Sequence, residues 1–149
     1  RENESDIIEQ KNYDIPRIDF VIVDLYPFEE TVLDSSLHED IIEKIDIGGI
    51  SLIRAAAKNF KDVVCVSNTN QYEDFLNDLD VNQGNFSIEK KQKYASNAFK
   101  LSSNYDSLIN EYLVSGSISV TKQLRYGENP HQKGFFKGNL ESVFEKIHG

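Results

Sequence analysis

The chain has 149 residues, 39% of them hydrophobic, with one cysteine and no methionine. A formal net charge of −9 and a pI of about 4.8 disfavour a non-specific nucleic-acid binder, which needs a basic face, and no apolar run approaches the ~20 residues that cross a bilayer. The length suits one domain or parts of two, and the clustering of apolar residues into segments favours a folded core over disorder.

The opening, Arg1-Glu2-Asn3-Glu4-Ser5-Asp6, is polar and lacks an initiating Met, which reads as an internal segment of a longer protein with no signal peptide in view. Asp6 to Lys11 is expected to end a helix, and Pro16 punctuates the approach to a strand. Ile18-Asp19-Phe20-Val21-Ile22-Val23 runs apolar without alternation, as in a strand covered on both faces in a parallel sheet. Asp24-Leu25-Tyr26-Pro27-Phe28 follows at its carboxyl end, where ligands gather in open α/β sheets. Leu37 to Lys44 is expected to be a short helix capped by Ser35 or Ser36.

Ile45-Asp46-Ile47-Gly48-Gly49 then leads into the alanine-rich run Arg54-Ala55-Ala56-Ala57-Lys58-Asn59. The pattern predicts a helix with a carboxylate and two glycines at its start. Helix N-termini carry unpaired N–H groups and partial positive charge, and glycine permits close approach to the backbone. Ile50, Ile53, Ala57 and Phe60 form the inward face. Arg54 and Lys58 project from the other, one turn apart, with Ala55 and Ala56 beside the amine to desolvate it in part. On local pattern alone, the glycine pair reads as a tight turn, Asp46 as a helix-end charge and Lys58 as a solvated lysine.

Asp62-Val63-Val64-Cys65-Val66-Ser67 is a second buried strand, and its lone cysteine reads as core rather than nucleophile. Thr69 or Asn70 caps a helix carrying the stripe Tyr72, Phe75, Leu76 and Leu79. After a loop around Gly84, one long helix runs from Ser87 to about Val114. Ala95, Ala98, Phe99, Ser102, Tyr105, Ile109 and Tyr112 form its repeating face. Residues 115–121 change to Ser, Gly and β-branched types, a linker or an edge strand. Leu124-Arg125-Tyr126-Gly127-Glu128-Asn129-Pro130-His131-Gln132 is a loop dense in hydrogen-bonding groups, and Val143 to Ile147 opens another helix. Strands alternating with helices give an α/β class with a parallel sheet. Two strands are too few for a stable isolated sheet, so the others are expected upstream of Arg1.

Three motifs in order, Asp24–Phe28, Ile45–Gly49 with Arg54–Asn59, and Arg125–Gln132, closely resemble the bifunctional purine-synthesis family that joins an IMP cyclohydrolase domain to an AICAR transformylase domain. The resemblance runs from about Ile18 to Phe136. It implies the second half of a methylglyoxal-synthase-like parallel-sheet domain with linking helices over 1–114, a linker over 115–123, and the beginning of the transformylase over 124–149. It implies closure of formyl-AICAR to IMP with loss of water, using no metal or organic cofactor. In the second domain it implies formylation of AICAR with 10-formyltetrahydrofolate as co-substrate. A cytoplasmic homodimer acting on formyl-AICAR, AICAR and IMP, without nucleic-acid or membrane partners, goes with that family. The chain taken alone is expected to be catalytically silent.

Position by position, Lys58 matches the family's proton-transfer lysine and Asp46 the aspartate at the reacting carboxamide. Tyr26 matches the strand-end tyrosine suited to the formyl oxygen. Val23, Asp24, Asp46 and Ile47 match positions lining the nucleotide. Arg125 and Tyr126 match the start of the AICAR site, and His131 a histidine close to it. The family commonly carries Asn at the place of Asp24, and an ionised carboxylate there only accepts hydrogen bonds. His38 and His148 have no such match and read as surface residues. Two rival readings are a methylglyoxal-synthase-like lyase, against which the Arg125–Gln132 loop stands, and a non-catalytic nucleotide-sensing module, against which Lys58, Asp46 and Tyr26 stand together.

Overall fold

The computed structural model describes residues 3–34 and 37–119, together with the backbone of the strands at 121–124 and 134–137. Helix α1 (Glu4–Asn12) includes the Asp6–Lys11 stretch expected to end a helix, and it starts at Glu4 because the Asn3 side chain caps it by accepting from the Asp6 N–H. Strand β1 (Phe20–Ile22) follows Pro16 as expected. Helix α2 (Phe28–Asp34) is absent from the sequence reading: it starts directly after Pro27, the residue type that favours a first turn, and Thr31 N–H donates to the Pro27 carbonyl at 3.0 Å. Helix α3 (His38–Glu43) has Leu37 at its cap position with no side-chain cap, while Ser35 and Ser36 lie outside the described residues.

Helix α4 (Ile47–Lys58) precedes β2 (Val64–Val66). A 3₁₀ turn at 69–71 then leads into α5 (Tyr72–Val81). The cap position of α5 is Gln71, with no side-chain cap bond, not Thr69 or Asn70; Asn68 caps the turn before it, its side chain accepting from the Asn70 N–H at 2.8 Å. Helix α6 (Ile88–Ser115) is capped by Ser87 and ends on Gly116 in the left-handed region at φ 71°. Strands β3 (Thr121–Leu124) and β4 (Gly134–Lys137) pair antiparallel. The remainder of the 124–132 loop, including Arg125, Tyr126 and His131, and the helix expected at 143–147 lie outside the described residues.

β1 and β2 pair in parallel, Phe20 opposite Val64 and Ile22 opposite Val66, an arrangement that needs a long crossover, supplied here by α2, α3 and α4. Side chains alternate across the pair. Val21, Val23 and Cys65 pack with Ile53, Ala56 and Ala57 of α4. Phe20, Val64 and Val66 face Phe75 of α5 and Phe86, whose rings meet Phe20 edge-on at 5.5 and 5.7 Å. A third cluster joins Phe28, Ile41 and Ile118 to Tyr105 and Tyr112. α6 enters all three: Tyr94 in the second, Ala95 and Ala98 in the first, Tyr105 and Tyr112 in the third. Its alanines let a helix backbone lie close against α4 and β2.

β2 is buried throughout, as expected, but β1 is not: Ile22 is half exposed, as is Ile18 just before the strand. β2 has β1 on one side and α6 close by; β1 pairs only with β2 among the described residues. In α5 the inward position expected for Leu76 belongs to Asp78, which is buried, ion-paired with Lys90 and reached by the Tyr94 hydroxyl at 3.4 Å. The parallel pairing and the α/β class hold, and they fit a piece of a methylglyoxal-synthase-like domain. No helix among the described residues is long and apolar enough to cross a membrane.

Burial pushes the Cys65 thiol up to about 11 and the Tyr94 phenol, also beside Asp78, up to about 12. Both shifts are upward, so the folded state holds these protons after the unfolded chain has released them. Stability is then level below pH ~9 on this account and falls as pH rises through ~9 to ~12. Urea midpoints measured across that range will show the fall. Tyr94→Phe will flatten its upper part, from about pH 10 upward.

Candidate active site

A cleft of about 610 Å³ opens at the carboxyl ends of β1 and β2. Its floor is the segment Asp24–Phe28, with Ser67 and Asn68 from the end of β2 and Leu101, Asn104 and Tyr105 from α6. Asp24 and Tyr26 therefore stand where the strand-end position places them. Asp24 is exposed, and its Oδ2 accepts from the Tyr72 hydroxyl at the head of α5. That hydrogen bond is the main cause holding the Tyr72 phenol above its ordinary range. Tyr26 is exposed as well, with the Lys44 ammonium 5.4 Å from its ring centroid, a cation–π contact. Ser67 is buried, and both its N–H and its hydroxyl donate to Gln71 Oε1. Val23 contributes from behind the cleft: its N–H donates to the Val66 carbonyl at 3.0 Å and its side chain packs in the core.

The head of α4 is a tightly made cap. Asp46 Oδ1 accepts from the Gly49 N–H at 2.6 Å, and the Asp46 N–H donates to Tyr105 Oη at 2.7 Å. The two glycines differ in kind. A Cβ on Gly49 would lie 2.5 Å from Asp46 Oδ2, whereas one on Gly48 would meet nothing within 4 Å. A side chain at 49 would thus have to push the Asp46 carboxylate aside, whereas one at 48 would meet open space. Ile47 is 70% exposed beside it.

Lys58 is the last residue of α4 and is exposed. The twelve residue steps from Asp46 to Lys58 rise about 1.5 Å each, roughly 18 Å in all. Neither residue lines the cleft of Asp24 and Tyr26. Ala56 is buried beneath the helix, so the desolvating pair expected beside Lys58 reduces to Ala55 at the surface. Arg54 does not project freely: its Nη1 donates to the buried Ser102 hydroxyl at 3.0 Å, and its guanidinium lies over Phe99 at 5.6 Å. That contact also leaves Phe99 partly exposed instead of on the inner stripe. Tyr72, Lys44 and Tyr105 are the neighbours that sequence spacing does not reveal, since each meets its partner across the fold. His38, expected at the surface, is exposed but bonds through Nδ1 to the Tyr112 hydroxyl at 2.8 Å. Among the described residues no group of His, Cys, Asp and Glu side chains is placed to hold a metal ion.

A parallel strand pair flanked by helices, with a cleft at the carboxyl ends of its strands, defines an α/β architecture whose strand ends are the usual place for a ligand. Residues 56–149 match the family described as the AICARFT/IMPCHase bienzyme. A bifunctional purine biosynthesis protein PurH from Bacteroides thetaiotaomicron is 53% identical over 156 residues, taking in 100% of this chain and 31% of that protein. PurH of Halalkalibacterium halodurans is 41% identical over 91% of this chain and 29% of its own length. A crystal structure of ForH superposes with a TM-score of 0.65 at 35% identity, over 78% of this chain and 61% of that one. The chain belongs to the AICARFT/IMPCHase bienzyme family. It spans about a third of the length of the curated relatives it matches.

The glycine difference has a direct consequence for stability. Gly49→Ala will push the Asp46 carboxylate aside, so the weakened cap offsets part or all of the alanine gain of up to about 1 kcal/mol and this variant will be less stable than Gly48→Ala. Gly48→Ala will be neutral or stabilising by up to about 1 kcal/mol, since alanine is the better helix former. Thermal midpoints of the two variants, measured side by side, check this order.

Proposed function

We propose that this chain is a segment of an enzyme that closes formyl-AICAR to IMP, and whose other activity formylates AICAR from 10-formyltetrahydrofolate. The observation that carries the reading is the strand-end cleft holding Asp24 and Tyr26, with a wall residue, Tyr105, bonded to the peptide of Asp46. Within the parent, the carboxamide nitrogen attacks the formyl carbon, and the formyl oxygen departs as water after proton transfer. Fixed geometry is what such an intramolecular closure needs.

Tyr26 donates to the formyl oxygen, for which its exposed hydroxyl is available. Asp46 orients the carboxamide. Val23, Asp24 and Ile47 line the nucleotide, Val23 through its backbone and packing. Lys58 moves the proton. The cleft supports Asp24 and Tyr26; the assignments of Asp46 and Lys58 rest on family membership. Arg125, Tyr126 and His131 serve the AICAR site of the second activity. The enzyme works in the cytoplasm as a homodimer, and this segment alone does not turn over.

Lys58→Arg keeps the charge and removes an accessible titration. In the full-length parent it will lower cyclisation by on the order of 10²-fold and alter the pH profile. Wild-type turnover with an unaltered profile would return Lys58 to the solvated surface.

Arg125→Ala in the same parent will weaken AICAR use in formyl transfer while IMP formation from supplied formyl-AICAR proceeds. Steady-state assays of the two half-reactions read this out; selective loss of cyclisation would place Arg125 with the first activity instead.

A further inference from the structure

The N–H of a helix N-cap residue lies outside the helical ladder and needs an acceptor from elsewhere. In a capping box the third helical residue reaches back with a Glu or Gln side chain to accept from it. At the head of α4 that third residue is Gly49, which has no side chain, and the Asp46 carboxylate occupies the space one would take. The acceptor comes instead from α6, 59 positions along the chain: Tyr105 Oη takes the Asp46 N–H at 2.7 Å and faces the Lys44 carbonyl at 3.5 Å. Tyr105 is 7% exposed, with its ring edge-on to Phe28 at 6.0 Å. It also lines the cleft that holds Asp24 and Tyr26.

We infer that Tyr105 is a positioning residue for the cyclisation: it fixes the peptide of Asp46 and ties the head of α4 to the strand-end cleft. This rests on the proposed function. Burial raises the Tyr105 phenol from its ordinary range, so the hydroxyl keeps its proton for the Lys44 carbonyl while its oxygen accepts from Asp46. Packing alone would be served as well by phenylalanine; the hydroxyl is what the cap requires.

The test is a double-mutant cycle in the full-length parent, using Tyr105→Phe and Asp46→Asn. Asparagine keeps a capping oxygen and removes the charge, so it separates capping from chemistry. Tyr105→Phe is expected to lower kcat for cyclisation roughly 10-fold, with KM for formyl-AICAR and the formyl-transfer rate little changed. In the double variant the Tyr105 loss is expected to vanish against the Asp46→Asn background, because both act through one group. Full additivity, or Tyr105→Phe at wild-type rate while Asp46→Asn is slow, overturns the assignment of Tyr105 alone. Asp46→Asn at wild-type rate overturns the cyclisation role of Asp46 and the assignment built on it. Amide hydrogen exchange at Asp46 in the unmutated protein tests the bond without relying on a variant that folds: strong protection supports it, and exchange at the unfolded-chain rate overturns it.

Discussion

Helix α6 is the constraint on which the rest of the described structure depends. Its 28 residues span roughly 42 Å, and they contribute to each of the three apolar clusters. Ala95 and Ala98 bring it against α4 and β2, while Tyr94, Tyr105 and Tyr112 fill the wider spaces at either end. Two hydroxyls of α6 then fix α4 laterally, Ser102 through the Arg54 guanidinium and Tyr105 through the Asp46 peptide. A strand pair too small to stand alone is thereby held in a shell of helices.

The periodic part of this arrangement was legible in the residues themselves. Apolar runs marked β1 and β2, and three- and four-residue spacing marked α4, α5 and α6, because those periods follow from backbone geometry alone. Helix α2 was not legible: in Phe28–Asp34 only Phe28 is buried, with three acidic residues and an exposed Leu33 breaking any apolar stripe. The cap of α5 was misplaced because a 3₁₀ turn, capped by Asn68, stands between the polar run and the helix, and composition does not reveal it. Asp78 taking the place of Leu76 depended on Lys90 and Tyr94, twelve and sixteen positions away.

The same division holds at the candidate site. The strand-end position of Asp24 and Tyr26 followed from topology, and the cap position of Asp46 from its place before two glycines. What the sequence left open was how each is held. Tyr72 donates to one oxygen of Asp24, so the other remains to accept from a ligand. An acceptor-only side chain thus has a donor supplied for it by the neighbouring helix. Arg54 and Lys58, one turn apart and chemically alike, separate into different uses because only Arg54 meets a hydroxyl on α6.

The close of α6 carries a mechanical consequence. Gly116, in a left-handed conformation, donates its N–H to the Tyr112 carbonyl at 2.7 Å and turns the chain back on the helix. Ile118 is then buried with Phe28 and Tyr112, and the Ser119 N–H is held by Glu111 Oε1 at 2.8 Å. Residues 116–119 are thus packed back against α6. Torque arriving there is delivered to a helix that touches every layer of the α/β unit, including the residue that grips the head of α4.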